Sequence, residues 1–290
     1  MADYSMWLLE FAHGKTQAWS WMVAGEHNKG VVYNVPFYYV LIQGEGHNIL
    51  IDVGFDYNPR TKDMLEGFGV IDYVTPDKIL SKIDLKPDDI DIVILTHAHF
   101  DHMGNMSGFP NATFYLQKRE LFEWINWISL PERFQFLSMP LDPFNLNEAI
   151  DLIAKGRMKL VDGRVENLFP GITLLPAFDT HSFGLQQVSI EIGSDKGKEN
   201  WVCVSDNAHE YENVEGIDGD GILRPVGYVT GSFQNTILAL DEALQIAGTS
   251  DRLIIGHSQT SFDRFPSKVY PDGLRVAELA LAEKEKSKIK

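Results

Sequence analysis

Apolar and polar positions alternate or cluster along the chain in ways that predict its elements. Tyr38 to Gln43 and Asn48 to Val53 are β-rich runs separated by Gly44-Glu45-Gly46, the pattern of a hairpin. TPDKILSKIDL, residues 75–85, reads as a short helix with Thr75 as its N-cap. DIDIVILT, residues 89–96, is nearly continuous in apolar side chains, which predicts a buried strand. ATFYLQ at 112–117 is followed by a region of different character, about residues 118–164. Its segments EWINWISLPERFQF and LNEAIDLIAKGRM predict helices, the first of them dense in aromatics. Strands resume in GITLLPA, QQVSIEIG and NWVCVSD. SFQNTILALDEALQIA is an amphipathic helix, DRLIIGH a last strand, and LRVAELALAEKEKSKIK a closing helix with a basic, frayed tail.

Several of these strands end on side chains that carry chemistry: Asp52, His97, Asp206 and His257. A rigid sheet positions the loops at its strand ends, so chemistry tends to collect there. No Pro/Gly/Ser-rich linker divides the chain. A single α/β domain over 1–290, with a helical insertion at about 118–164, is the expectation.

Composition narrows the choices. The net charge of −16 repels phosphate backbones and anionic membranes, which argues against nucleic acid as a partner. The one cysteine, Cys203, forms no internal disulfide and suits a reducing compartment. No run reaches the roughly 20 apolar residues of a membrane span, and the N-terminus MADYSMWLLEF lacks a signal-peptide pattern. A cytoplasmic protein acting on a small molecule is expected, with a homodimer as a further expectation.

The candidate chemistry lies in THAHFDH, residues 96–102. It holds three of the nine histidines of the chain. Neutral imidazoles and carboxylates are donors for zinc and similar ions. In His97-Ala98-His99 the first and third side chains can share one ion, while Asp101 and His102 face a second position. His181, Asp206 and His257 each stand at a strand-to-loop transition and can supply further donors. No GxSxG motif is present, which argues against a serine hydrolase.

THAHFDH, with the later His181, Asp206 and His257 in order, resembles the HxHxDH signature and remaining ligands of the metallo-β-lactamase superfamily. The resemblance covers roughly residues 36–266. It implies an αββα sandwich with two divalent ions, most often zinc, with manganese, cobalt and iron also suited to the donors. It implies His97, His99 and His181 on one ion, Asp101, His102 and His257 on the other, and Asp206 bridging them together with a hydroxide. Asp52 in IDVGF matches the superfamily's buried aspartate, which orients a ligand imidazole. Cys203, three residues before Asp206, is expected in the strand core.

SDNAHEYENVEG is similar to the segment GDAxYTxEN of the N-acyl-homoserine lactonases and the related 4-pyridoxolactonase. GHSQTSFDRFP resembles their segment after the last histidine, with Ser258 where aspartate is usual. This branch opens a lactone ring by attack of the bridging hydroxide. Asp101 or Asp206 would pass the proton to the leaving alkoxide. Where these lactonases carry a carbonyl-assisting tyrosine, this chain has His209, and the nearest tyrosine is Tyr211; either can be the donor. Glyoxalase II-type thioester hydrolysis shares the seven ligands and stays open, as does hydrolysis of another cyclic ester or amide. Trp19, Trp21, Met22, Phe55, Met64, Phe68, Phe122, Trp124 and Trp127 are the candidates for an apolar cleft over the ions.

Overall fold

The computed structural model describes residues 2–16, 19–25, 33–194 and 197–289. In the first half of the chain the strands are β1 (Tyr4–Thr16), β2 (Tyr33–Gly44), β3 (His47–Ile51), β4 (Val70–Ile71), β5 (Ile92–Ile94), β6 (Thr113–Gln117) and β7 (Met158–Val161). A second group follows: β8 (Val165–Phe169), β9 (Ile172–Pro176), β10 (Gln186–Ser194), β11 (Gly197–Ser205) and β12 (Leu253–Ile255). The chain then returns as β13 (Ser267–Val269) and β14 (Arg275–Ala280). The first sheet runs β13-β14-β1-β2-β3-β5-β6-β7, with β4 added beside β1; the second runs β12-β11-β10-β9-β8.

Two-residue periodicity explains how these sheets stack. In β1, Met6 and Leu8 face the second sheet, while Trp7, Leu9 and Phe11 face the other way. In the β5 region Ile92 and Ile94 point inward, and Val93 and Leu95 point outward. Ile172, Leu174, Val188, Ile190 and Cys203 complete the layer between the sheets. Both faces of each sheet are therefore apolar, and helices cover the outer ones. Outside the first sheet lie Leu121, Trp124, Leu146 and Ala149; outside the second lie Leu240, Ala243 and Ala247. The result is the expected four-layer αββα arrangement.

The helices are α1 (Trp19–Met22), α2 (Lys62–Gly67), α3 (Pro76–Ser81), α4 (Phe100–Met103), α5 (Lys118–Ile128), α6 (Pro143–Ala154), α7 (Glu212–Glu215), α8 (Phe233–Ala247) and α9 (Ser261–Arg264). Helix α8 has both of its ends marked in sequence. Ser232 accepts from the Asn235 N–H, and Gly248 closes the helix at φ 74°. Thr75 occupies the N-cap position of α3, but its hydroxyl makes no capping bond. Among the described residues no helix is long and apolar enough to cross a membrane.

Two sequence expectations are corrected here. The segment from Leu274 does not form a helix. Arg275–Ala280 pairs antiparallel with β1, and Ile289 near the end of the basic tail is buried. Its Ala, Leu and Glu content favours a helix locally, but the open edge of β1 offers unpaired backbone groups and an apolar surface, and tertiary pairing wins. The helical insertion is also shorter than expected. It ends at Ala154, because Met158–Val161 pairs parallel with β6 and belongs to the sheet.

Candidate metal centre

The site forms at one edge of the sandwich, where strands from both sheets stop. After β5, Thr96 and His97 continue the chain and His99 becomes the N-cap residue of α4. The short helix then turns Asp101 and His102 toward a second position. Phe100 packs instead against Phe68 and Phe55, with ring centroids 4.8 and 5.8 Å away. The loop between β9 and β10 brings in His181. Asp206 follows β11, and His257 lies just beyond β12.

All seven sequence-predicted donors converge. His97, His99, His181 and Asp206 form one group and Asp101, His102, Asp206 and His257 another, each with its donor atoms within 4.8 Å of one another. In the first group the His97 Nε2 and His181 Nε2 atoms each lie 3.0 Å from His99 Nδ1. Asp206 Oδ2 is 3.4 Å from His181 Nε2. In the second group Asp206 Oδ1 is 3.2 Å from His102 Nε2 and 3.3 Å from His257 Nε2, and Asp101 Oδ2 is 3.3 Å from His257 Nε2. One oxygen of Asp206 thus faces each group, the geometry of a bridging carboxylate. The close approach of the strands is built in: a Cβ on Gly256 would stand 2.6 Å from Asp206 Oδ1.

In four of the five rings a partner on the far side turns the other nitrogen inward. His102 Nδ1 donates to Asp52 Oδ2 at 2.8 Å, His181 Nδ1 to the Tyr228 carbonyl at 2.9 Å, and His257 Nδ1 to the Pro36 carbonyl at 3.0 Å. His97 Nδ1 lies 3.0 Å from Thr96 Oγ1, which itself donates to Asp52 Oδ2 at 2.8 Å. These contacts orient His97, His102, His181 and His257 with Nε2 inward, whereas His99 turns its Nδ1 inward. Among the described residues, His102 Nε2 and Asp206 Oδ1 are buried and make no hydrogen bond. Converging lone pairs on buried, unpartnered donors fit divalent cations.

Charge reinforces the division into two groups. Burial pushes His99 down to about 3 and His97 and His181 well below the ordinary histidine range, so these rings are neutral donors. Burial also opposes charge on His102 and His257, but Asp206 and Asp101 outweigh it; His257 is pushed up to about 10. Burial alone would raise Asp206, yet His102, His257 and His209 hold it well below the usual carboxylate range.

An apolar cleft opens over the two groups. Its walls include Trp21, Met22, Phe37, Phe68, Met139 and Tyr228, with His99, Asp101, His181, Asp206, His209 and His257 on its floor. Trp21 stacks on Tyr228 at 6.0 Å. Three of the sequence candidates, Trp21, Met22 and Phe68, line the cleft. The others do not: Trp19 is buried beside it, and Phe55 and Met64 belong to the core. The aromatics of the insertion miss it as well. Helical spacing turns Leu121 and Trp124 inward and leaves Phe122 exposed, while Trp127 packs on Phe183. The insertion contributes Met139 and Pro140 instead. Tyr228 went unrecognised in the sequence because it lies in an irregular segment with no motif.

His209 and Tyr211 are separated by the fold. His209 lines the cleft, with Nε2 3.3 Å from Asp206 Oδ2 and neither ring nitrogen in a hydrogen bond. Tyr211 is packed behind the second sheet among Val202, Leu240 and Leu253. Its hydroxyl donates to the Leu253 carbonyl at 3.3 Å, and burial pushes its phenol up to about 12. The expectation that Tyr211 can reach a substrate carbonyl is therefore not met. Ser258 donates to the buried Glu210 carboxylate at 2.6 Å.

Known proteins resemble this chain in sequence and fold. Residues 35–196, more than half of the chain, match the metallo-beta-lactamase superfamily. A probable metallo-hydrolase of Methanocaldococcus jannaschii is 54% identical over 43 residues, 15% of this chain and 21% of that one. An N-acyl homoserine lactonase of Bacillus cereus is 28% identical over 171 residues, covering 56% of this chain and 61% of the lactonase. The matches thus span at most about three fifths of these two relatives. A solved structure of a probable metal-dependent hydrolase from Staphylococcus aureus superposes with a TM-score of 0.66 at 21% identity, over 88% of this chain and 89% of that one. The family match, the fold and the His/Asp cluster agree: the chain belongs to the metallo-beta-lactamase superfamily.

Proposed function

We propose that this protein opens the ring of a neutral lactone. Two divalent ions, zinc foremost, would be held by His97, His99 and His181 on one side and Asp101, His102 and His257 on the other, with Asp206 shared. Such a pair of ions acidifies water and polarises a carbonyl oxygen. The rest of the chemistry falls to side chains. The apolar wall formed by Trp21, Met22, Phe68 and Tyr228 binds the ring substituent and excludes water. His209 donates from its ring N–H as negative charge grows on the carbonyl oxygen. Asp101 or Asp206 carries the proton to the leaving alkoxide.

The observation that carries the reading is His209: an imidazole with no hydrogen-bond partner, on the cleft floor, where the lactonase-like segment has its phenol. The described lining contains no Lys or Arg to meet a carboxylate, which favours a neutral ring over a glutathione thioester.

The test is a panel of lactones, lactams and a glutathione thioester, read by proton release with the metal-loaded protein. Lactones should turn over fastest. His209→Ala should lower kcat by about 10²–10³-fold, the effect of losing one oxyanion donor, with metal content unchanged. Tyr211→Phe should leave kcat at its original value. Faster hydrolysis of the thioester would replace this reading with the glyoxalase II type, and an unaffected His209→Ala would remove the assigned donor.

A further inference from the structure

Glu120 lies in the first turn of α5 and is fully buried, and among the described residues no lysine or arginine pairs with it. Its carboxyl group is held by donors instead. Oε1 accepts from the Ala98 N–H at 2.8 Å, from Trp124 Nε1 at 2.8 Å and from Ser182 Oγ at 2.5 Å. Oε2 accepts from the Gly184 N–H at 2.5 Å. Four donors and no acceptor suit a charged carboxylate, and charge-assisted bonds of this length are the stronger kind.

The origins of those donors matter more than their number. Ala98 sits between His97 and His99. Ser182 follows His181, and Gly184 ends the same turn. The Trp124 ring meets His99 edge-on at 5.6 Å and also reaches Ser182 Oγ from Nε1 at 3.1 Å. One carboxylate therefore ties together the two loops that carry the three imidazoles of the first group, although these loops come from different sheets. Contact with the second loop is close at the backbone too: a Cβ on Gly184 would stand 2.3 Å from the Glu120 nitrogen. The second group has no such tie to Glu120; its ring His102 is oriented by Asp52.

We propose that Glu120 is a positioning residue for the first ion. It sets the separation of the His97-Ala98-His99 turn from His181, and through it α5 takes part in metal binding without touching the ion. The inference rests on the metal assignment above but not on the lactone.

The test uses the full chain loaded with two ions, with Glu120→Gln and Glu120→Ala. In Glu120→Gln one oxygen becomes an amide that opposes the donor it replaces, either Gly184 N–H or the trio at Oε1. Chelator competition should show one ion per chain bound about 10–100-fold more weakly, the usual cost of losing an outer partner of a ligand. The other ion should keep its affinity. Histidine NMR signals should identify the weakened site: His97, His99 and His181 revert to their metal-free positions first, and His102 and His257 later. Metal-free Glu120→Gln should melt below the metal-free parent, because one buried donor is left opposed, so the selective loss of one ion is the deciding readout. Equal weakening of both ions would overturn the proposal in favour of a general packing role. Wild-type affinity for both ions in Glu120→Gln would also overturn it. Should Glu120→Ala fail to fold, Glu120→Gln decides alone. Parent histidine signals that do not move on loading would overturn the metal assignment with it, whereas the absence of lactone turnover leaves this test untouched.

Discussion

Asp52→Asn should cost the second ion far more than the first. Asp52 follows β3 at φ 63°, a left-handed conformation that asparagine also tolerates, so the backbone is preserved. Oδ1 accepts the Thr96 N–H at 2.7 Å, while Oδ2 accepts from Thr96 Oγ1 and His102 Nδ1, each at 2.8 Å. An amide with its oxygen kept toward the Thr96 N–H places an NH₂ against His102 Nδ1. The imidazole must then present a bare Nδ1, and its proton moves to Nε2, the atom 3.2 Å from Asp206 Oδ1. Protonated there, it is no longer a ligand. The flipped amide instead sets donor against donor at Thr96, which costs roughly 1–3 kcal/mol for a buried unsatisfied group. Either way the affinity of the second ion should fall about 10–100-fold, roughly 1.4–2.8 kcal/mol. Chelator competition measures the loss, and nitrogen NMR of His102 reports which ring nitrogen carries the proton. Two ions retained at parental affinity, with His102 Nε2 unprotonated, would refute the reasoning.

The buried Glu10 is a second target. Burial alone would raise its pKa, but Arg275, at 2.6 and 2.8 Å, and His13, at 2.9 Å, hold it below the usual range. Its contribution is present above the unfolded-state value of about 4.3 and is lost as pH falls through the lower folded value. Glu10→Gln should cost about 3 kcal/mol near neutrality, the low end for breaking a buried pair because Arg275 is partly exposed. The gap in melting temperature between parent and variant should close in acid; a gap independent of pH would contradict the assignment. Trp21→Ala should raise KM for bulky apolar substrates with kcat retained. Trp124→Ala should instead cost about 3–5 kcal/mol of stability, visible in denaturant melts.

The metal donors were legible because four of the seven sit in one six-residue run directly after an apolar strand, Asp206 and His257 closely follow strands, and His181 lies in the loop between two. Local spacing encodes that. Glu120 was not legible: its partners Ala98 and Ser182 are 22 and 62 residues away, and a glutamate in the first turn of a helix reads as an ordinary solvated one. The choice between His209 and Tyr211 was open for a similar reason. They are two residues apart, and only the packing of Tyr211 behind the second sheet separates them. The C-terminal segment misled in the opposite direction, since its composition speaks for a helix while Glu278 is used in the sheet, accepting from Trp7 Nε1 and the Lys288 N–H. Trp124 and Trp127 are cleft candidates in the sequence but do not line it, because helical phase alone does not say which apolar surface a helix will meet.

The donors of each group come from both sheets: His97 and His99, or Asp101 and His102, from the first, and His181, Asp206 and His257 from the second. An ion bound in either place fastens one half of the sandwich to the other, and its binding free energy is added to that of folding. Metal supply therefore acts on the lifetime of the molecule as well as on its turnover. A chain made during metal starvation keeps its halves together only by apolar contacts and by hydrogen bonds such as those of Glu120 and of His257 to Pro36. It opens more often along the seam where the ions would lie, and proteases gain access there first.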